Sequence, residues 1–195
     1  MEEQTIKQKE KFEAIWAPEA QGHYRKGSCG QRLVPKFLEI VQPCELNDYG
    51  SGTGRSAVEL HKHGFTINMI DIAENALEAD GRALLGKGLK LWIGSLWDLP
   101  EDFPKNEWGY CADVLMLIPD DMIDDTLKEI RRTCENCFFE VYAWSYKWHE
   151  TEYTLTQWDD KKWLAKFKEY WLNVEKLNMS DQGERMIFVA RGNEQ

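Results

Sequence analysis

The sequence predicts an α/β fold, a three-layer sandwich with a seven-stranded, mostly parallel sheet and an antiparallel C-terminal strand. Two observations carry this prediction. From Cys44 onward, short apolar segments alternate with helical patterns, as in successive βαβ units. Near the end of the chain, the apolar segments 173–179 and 185–191 are separated by only five residues. A parallel crossover needs a dozen or more residues, so these two strands must be antiparallel if they pair.

The remaining elements follow from apolar periodicity along the chain. We expect one domain over residues 1–195, with N-terminal helices or a lid in 1–43 and the sheet core in 44–195. Helices are predicted over residues 4–16, 31–41, 55–63, 74–85, 121–134 and 160–171. Strands include residues 66–70, 89–93 and 137–144. The first strand is poor, with Leu46 as its only strongly apolar residue.

A glycine-rich segment joins the first strand to the next helix. Gly50, Gly52 and Gly54 alternate, and Asp48 lies two residues before the first of them. Glycines at this spacing allow a tight turn in which main-chain N–H groups approach a ligand closely. The segment therefore predicts a cofactor-binding loop between a strand and a helix. A dinucleotide loop would place a further glycine at the sixth position, where this chain has Arg55.

A second acidic residue follows at an informative distance. Asp71 ends the second predicted strand, seventeen residues after Gly54. A carboxylate at the carboxyl end of this strand can accept hydrogen bonds from both ribose hydroxyls of an adenosine. The alternative is an acid near the start of the following helix, and one residue can serve both purposes.

These landmarks resemble class I S-adenosylmethionine-dependent methyltransferases, whose G-x-G-x-G loop matches Gly50, Gly52 and Gly54. The resemblance covers roughly residues 30–192 and implies a Rossmann-like methyltransferase fold, S-adenosyl-L-methionine as cofactor and methyl transfer as activity. It implies that the cofactor contacts Asp48, Gly50, Ser51, Gly52, Gly54, Asp71, Ile72, Leu96, Trp97, Asp113, Tyr24 and Arg25. The chain departs from many relatives at Met116 and Leu117, where they carry an acid and a histidine.

Composition favours a small-molecule acceptor. The formal net charge is −10 and 30% of residues are charged, whereas a nucleic-acid-binding protein normally presents a basic surface. No apolar stretch approaches the length of a membrane span, and the charged amino terminus does not resemble a signal peptide. A cytoplasmic location is the resulting expectation. The sequence predicts no metal site, and it treats Cys134 and Cys137 as inert thiols where a helix ends and a strand begins.

The acceptor pocket must be closed by two segments, residues 17–30 and 145–159, because the chain has no inserted substrate domain. Both are rich in aromatic and titratable side chains: Trp16, His23, Tyr24 and Arg25 in or beside the first, and Tyr146, Trp148, His149, Tyr153 and Trp158 in the second. His149 is the candidate general base, since its unperturbed pKa lies near neutrality. A surface histidine beside Glu150 is the alternative.

Three other functions stay open from the residues. The chain could bind the cofactor without catalysing a reaction and regulate a partner enzyme. It could methylate a tRNA or a protein side chain. An NAD-dependent dehydrogenase is the fourth hypothesis, and it is opposed by Arg55 and by the C-terminal hairpin. The sequence does not indicate the oligomeric state or the atom that receives the methyl group.

Overall fold

The computed structural model describes residues 2–17, 30–142, 154–177 and 185–192. Within them lies one seven-stranded sheet of strand order β3-β2-β1-β4-β5-β7-β6. The strands are β1 (Glu45–Tyr49), β2 (Thr66–Asp71), β3 (Leu89–Ile93), β4 (Asn106–Ala112), β5 (Cys134–Tyr142), β6 (Asn173–Leu177) and β7 (Arg185–Arg191). The α-helices are α1 (Glu2–Ile15), α2 (Val34–Leu38), α3 (Arg55–Lys62), α4 (Ala79–Ala83), α5 (Ile123–Thr133) and α6 (Asp160–Phe167).

The sheet confirms the predicted fold class. Strands β1 to β5 are parallel to one another, and β7 is antiparallel to both β5 and β6. The strand order reverses at β1, which lies between β2 and β4. In open α/β sheets, ligands bind beyond the carboxyl ends of the strands at such a reversal. The glycine-rich loop begins directly after β1 and therefore lies at this position.

Two predicted helices are divided into a 3₁₀ turn and a short α-helix. The segment 74–85 contains a 3₁₀ turn (Glu74–Ala76) and the short helix α4, with Leu77 and Glu78 extended between them. The N–H of Glu78 donates to the carbonyl of Thr53, so it is committed outside the helix. The segment 31–41 likewise divides into a 3₁₀ turn (Gln31–Leu33) and α2, whose first turn contains Pro35.

The fifth strand begins earlier than predicted. Cys134 pairs with Asn106 of β4, so Cys134 and Cys137 both lie in β5 rather than across a helix–strand boundary. Both thiols are buried, and burial raises the pKa of Cys137 well above its usual value. A raised pKa opposes thiolate chemistry, in agreement with the predicted inert role.

Apolar side chains cover both faces of the sheet. One face packs Phe139 against the ring of Phe167 in α6, with ring centroids 4.4 Å apart. The other packs Phe37 of α2 against Tyr110 and Phe138. Trp163 and Trp171 are almost completely buried. No helix within the described part of the chain is long and apolar enough to cross a membrane.

The weak apolar signal of β1 has a structural reason. Asn47 is completely buried at the centre of the strand. Its side-chain amide nitrogen donates to the carbonyls of Pro104 and Thr133, at 2.9 and 3.0 Å. Because these bonds satisfy a buried polar group, a strand covered on both faces can tolerate it.

Candidate functional site

The loop after β1 has the backbone that alternating glycines permit. Gly50, Gly52 and Gly54 have φ angles of 73°, 49° and 75°. These values lie in the left-handed region, which is costly for residues with a Cβ. A Cβ at Gly50 would lie 2.5 Å from a methyl group of Val114, and one at Gly54 would collide with Leu77. The left-handed backbone therefore favours glycine at all three positions, and at Gly50 and Gly54 a Cβ would in addition displace a neighbouring side chain.

Asp71 holds this loop against the end of β2. Its Oδ2 accepts the N–H of Gly52 at 2.7 Å, and its Oδ1 accepts the N–H of Ala73 at 2.9 Å. Burial raises the pKa of Asp71, while these backbone bonds lower it. The structure thus brings Asp71 and the glycine loop together, as the sequence spacing predicts.

Asp48 is a buried carboxylate with an unsatisfied oxygen. Its side chain is 3% exposed, and its Oδ2 has no hydrogen-bond partner among the described residues. Burial, together with the nearby charge of Asp71, raises its pKa to about 7. Ser51 carries a second buried oxygen without a partner in the described residues. Buried polar atoms are normally paired, so the unpartnered oxygens of Asp48 and Ser51 are candidate acceptors for a polar ligand.

Arg55 occupies the position at which a dinucleotide loop would have its third glycine. Its guanidinium forms two hydrogen bonds of 2.8 Å with the carboxylate of Glu78. This paired contact ties the start of α3 to the segment after β2. Arg55 therefore holds two segments together, and its side chain occupies the position where a dinucleotide loop needs a glycine for close packing of helix and strand.

Two apolar residues of the segment after β3 are buried in the core. Leu96 and Trp97 are each 6% exposed, and both belong to the core on one face of the sheet. The indole N–H of Trp97 donates to the hydroxyl of Thr5 in α1 at 3.1 Å. Asp98, in contrast, is exposed to solvent. The predicted contact of Leu96 and Trp97 with an adenine ring stays a prediction.

Helix α1 lies beside the glycine loop, a position that the sequence did not indicate. The ring of Trp16 would be 3.4 Å from a Cβ placed on Gly52. The side chain of Asn75 donates to the carbonyl of Glu13 at 2.8 Å. Trp16, which the sequence linked to a lid, thus reaches the loop from the end of this helix.

Asp113 follows β4 in a strained conformation. Its φ is 64°, and it is the only non-glycine residue with positive φ among the described residues. Its N–H donates to the carbonyl of Glu140 in β5, and its carboxylate lies 3.4 Å from the guanidinium of Arg185. Strained residues of this kind cluster at ligand sites. The sequence predicted Asp113 as a site residue but not these partners.

Glu140 is the most buried charged group near the carboxyl edge of the sheet. Its side chain is 0% exposed, and its Oε1 accepts a 2.5 Å hydrogen bond from Arg185 at the start of β7. Arg32 approaches the same oxygen at 3.4 Å. Burial and the charge of Asp113 raise the pKa of Glu140, and Arg185 opposes this effect. The sequence did not indicate a role for Glu140, Arg185 or Arg32. The one available signal was Glu140 itself, because an acidic residue inside an apolar strand is unusual.

The segment after β4 is engaged by the chain itself. The carbonyl of Met116 accepts the N–H groups of Leu155 and Thr156, at 2.8 and 3.1 Å. Met116 is buried and Leu117 is partly buried, so neither offers a polar side chain to a ligand.

Trp158, which the sequence placed in a loop over the acceptor pocket, packs against Trp163 and is buried. Of the other predicted site residues, Tyr24, Arg25 and His149 lie outside the described residues.

Comparisons with known proteins identify the fold. No family model matches the chain, and no curated protein matches it in sequence. The N-terminal domain of EvdMO1 with S-adenosylhomocysteine bound superimposes with a TM-score of 0.70 at 15% identity, over 99% of this chain and 98% of that one. The chain has the Rossmann-like fold of methyltransferases.

Other methyltransferases of this fold give similar superpositions. The Burkholderia thailandensis 1,6-didemethyltoxoflavin-N1-methyltransferase has a TM-score of 0.66 at 12% identity, over 98% of this chain and 87% of that one. The magnesium protoporphyrin IX methyltransferase of Synechocystis PCC 6803 has a TM-score of 0.64 at 15% identity, over 87% and 83%. The small RNA methyltransferase HEN1 matches 83% of this chain but only 25% of its own, with a TM-score of 0.68 at 15% identity. The resemblance drawn from the glycine loop is confirmed at the level of the fold.

Proposed function

We propose that this protein binds S-adenosyl-L-methionine and transfers its methyl group to a small-molecule acceptor. The observation that carries the proposal is the loop of three left-handed glycines, which Asp71 holds through the N–H of Gly52. Backbone amides crowd a ligand most closely in such a loop. The loop lies at the strand-order reversal of the sheet, where ligands of open α/β folds bind.

The residues present fit this cofactor. Asp71 would receive the ribose hydroxyls, since it is the last residue of β2 and lies against the glycine loop. The unpartnered oxygens of Asp48 and Ser51 would receive the polar groups of the methionine portion. Asp48 and Asp71 both favour a positively charged ligand, because the pKa of each is raised by burial and a cation relieves that cost. The bound cofactor supplies an electrophilic methyl group, and the protein aligns an acceptor with it and excludes water.

Arg32 is a candidate partner for the cofactor carboxylate, in addition to the predicted Tyr24 and Arg25. It lies on the 3₁₀ turn Gln31–Leu33, and its side chain is 35% exposed. A Cβ on the adjoining Gly30 would touch Ser56, near the start of α3. This turn therefore borders the glycine loop, and a guanidinium suits a carboxylate ligand.

A small acceptor is favoured by charge. The net charge of −10 offers no electrostatic attraction to a phosphate backbone. The comparisons include a methyltransferase of 1,6-didemethyltoxoflavin and one of magnesium protoporphyrin IX, and both names state small-molecule acceptors. Methylation of RNA is the alternative that the match to HEN1 favours. The free thiols of Cys111, Cys134 and Cys137 agree with the proposed cytoplasmic location, where thiols stay reduced.

A second candidate function is cofactor binding without catalysis. The observation that favours it is the apolar pair Met116 and Leu117, together with the hydrogen bonds that commit the Met116 carbonyl to Leu155 and Thr156. Such a protein would bind the cofactor and regulate a partner.

Calorimetric titration of the protein with S-adenosylmethionine, S-adenosylhomocysteine and NAD⁺ tests the proposal. We expect saturable binding of the first two compounds and none of NAD⁺. Failure to bind either adenosyl compound would overturn the proposed function. A tritiated methyl group incorporated into phenol, catechol or imidazole acceptors would favour the enzyme, whereas tight binding without turnover over a broad acceptor panel would favour the regulatory alternative.

A further inference from the structure

Four charged side chains converge beyond β4 and β5, away from the adenosine side of the site. They come from distant parts of the sequence, and we call them the β4–β5 charge cluster: Arg32, Asp113, Glu140 and Arg185. Glu140 pairs with Arg185, and Arg185 also lies 3.4 Å from Asp113. The cluster is thus one connected ion-pair network, which reaches the surface through Asp113 and Arg32.

The network leaves one acceptor atom unused at its centre. Both guanidinium groups approach Oε1 of Glu140, while Oε2 has no partner among the described residues. Leaving a buried acceptor of this kind unsatisfied costs about 1–3 kcal/mol. A fully paired Glu140 could have been satisfied by Arg185 alone, through a two-bond contact. Among the described residues, Oε2 is therefore the buried oxygen of this network to which the donor of a ligand could bond.

The position of the cluster relative to the proposed cofactor suggests what that group is. Strand order runs β2, β1, β4 and β5, so the ribose site at Asp71 and the glycine loop after β1 come first. Ala112 of β4 pairs with Glu140 of β5, and Asp113 follows directly. A methyl acceptor must lie beyond the reactive end of the cofactor, and the next groups along this edge are those of the cluster.

We propose, building on the function proposed above, that Glu140 and Asp113 form the acceptor side of the site, with Arg185 holding Glu140 in place. The acceptor presents an uncharged O–H or N–H group, as in a phenol or an imidazole. An ionised carboxylate only accepts hydrogen bonds, so a carboxylate or phosphate acceptor has no donor for Oε2, although Arg32 and Arg185 balance the charges of the two carboxylates. An O–H or N–H donor satisfies Oε2 and exchanges the unpaired atom for a charge-assisted hydrogen bond.

The cluster also accounts for the proton in the transfer. The acceptor oxygen or nitrogen forms a bond to the methyl carbon, and the carbon–sulfur bond breaks with its electron pair going to sulfur. The products are the methylated acceptor and the neutral thioether. The proton of the O–H or N–H group passes to Oε2 of Glu140 and then to water. A buried base whose pKa is raised is better matched to this step near neutral pH than an exposed carboxylate.

Fragment titration of the S-adenosylhomocysteine-loaded protein tests the proposal without knowledge of the natural acceptor. The probes are phenol, imidazole and benzoate, and binding is followed by NMR at pH 8. We expect phenol and imidazole to bind, benzoate to bind at least about tenfold more weakly, and Glu140→Gln to weaken phenol and imidazole by about tenfold or more. The matched control is Glu175→Gln. Glu175 is an exposed glutamate of β6 that forms an ion pair with Arg191 of β7.

The outcomes separate this inference from the proposed function. Equal fragment affinity in wild type and Glu140→Gln, benzoate as the preferred probe, or no fragment binding would overturn the acceptor assignment while cofactor binding stands. Failure of the wild type to bind S-adenosylhomocysteine would overturn the proposed function, and with it the present inference. Should Glu140→Gln fail to fold, Asp113→Asn replaces it, because asparagine tolerates positive φ. That variant should weaken imidazole by about threefold, and unchanged affinity would contradict the proposal.

Discussion

The two halves of the site are built by different means. On the β1–β2 side, the carboxylate of Asp71 binds main-chain N–H groups, and all these residues belong to one strand–helix–strand unit. On the β4–β5 side, Glu140 and Arg185 are charged side chains that are 45 residues apart. The first half suits a ligand portion that stays constant, since backbone geometry changes little. The second half is set by side chains, so substitution can adapt it to a different acceptor.

The largest effect is expected in the charge cluster. Arg185→Met should lower the free energy of unfolding by about 3–5 kcal/mol at neutral pH, because Glu140 would stay buried without its main partner. Chemical denaturation measures this change. Lys176→Met is the control, since its ion pair with Asp160 is exposed and should contribute less than about 1 kcal/mol.

The loss in Arg185→Met should also depend on pH in a defined direction. Without Arg185, the pKa of Glu140 rises further, so the folded state binds more protons than the unfolded state above the carboxyl's ordinary range. Stability of the variant therefore falls as pH rises, and the loss should be smaller at pH 5 than at pH 7.5. Equal losses for Arg185→Met and Lys176→Met would contradict a buried, charged Glu140.

Asp71→Ala probes the other half of the site. It removes the hydrogen bonds to Gly52 and Ala73 as well as the proposed ribose contact. Affinity for S-adenosylmethionine should fall by at least about 100-fold, since hydrogen bonds to a charged group contribute about 1.5–3 kcal/mol each. Calorimetry compares it with Asp80→Ala, an exposed acid on α4 that should bind as the wild type does. Full affinity in Asp71→Ala would remove the ribose assignment.

A pair of glycine substitutions separates backbone strain from lack of space in the loop. Gly54 and Gly86 share a φ of 75°, but only Gly54 has a neighbour, Leu77, where its Cβ would go. Gly86→Ala should destabilise by about 1 kcal/mol through conformation alone. Gly54→Ala should cost about 2 kcal/mol more, because Leu77 must move. Equal free energies of unfolding in urea for Gly54→Ala and Gly86→Ala would show that Leu77 does not restrict the space beside Gly54.

The smallest effect concerns the pH dependence of cofactor binding. The pKa of Asp48 is raised to about 7, so the free protein carries this proton below neutrality. A cationic ligand favours the ionised form, and binding should release a proton. Affinity for S-adenosylmethionine should therefore rise by about tenfold from pH 6 to pH 8. Asp48→Asn should flatten the profile, and calorimetry in buffers of different ionisation heat counts the released proton; a slope that survives the substitution excludes Asp48.

The comparison of the two halves also explains what the sequence could predict. The spacing of the glycines and of the acid that ends β2 is typical of one loop conformation. The arrangement of Gly50, Gly52, Gly54 and Asp71 could therefore be predicted from their spacing. The hairpin that reverses β7 followed from the shortness of its connection. The break at Glu78 did not, because it depends on Thr53 and Arg55 across the fold.

The β4–β5 charge cluster could not be predicted from the sequence, because it too depends on contacts across the fold. Glu140 is an isolated acid within an apolar strand, and its partner Arg185 belongs to a strand that pairs with β5 only in the folded chain. The three-dimensional pairing of β5 with β7 is what joins them. Helix α1 was similarly recognised as a helix, but its contacts with Trp97 and Asn75 are tertiary and leave no local pattern.

A crystal structure with S-adenosylhomocysteine bound tests the central claim most directly. We predict the ribose hydroxyls on the carboxylate of Asp71, the amino-acid portion against the Gly50–Gly54 loop, and the sulfur on the side of Asp113. A crevice that stays empty at saturating ligand, or a ligand bound away from this loop, would contradict the account.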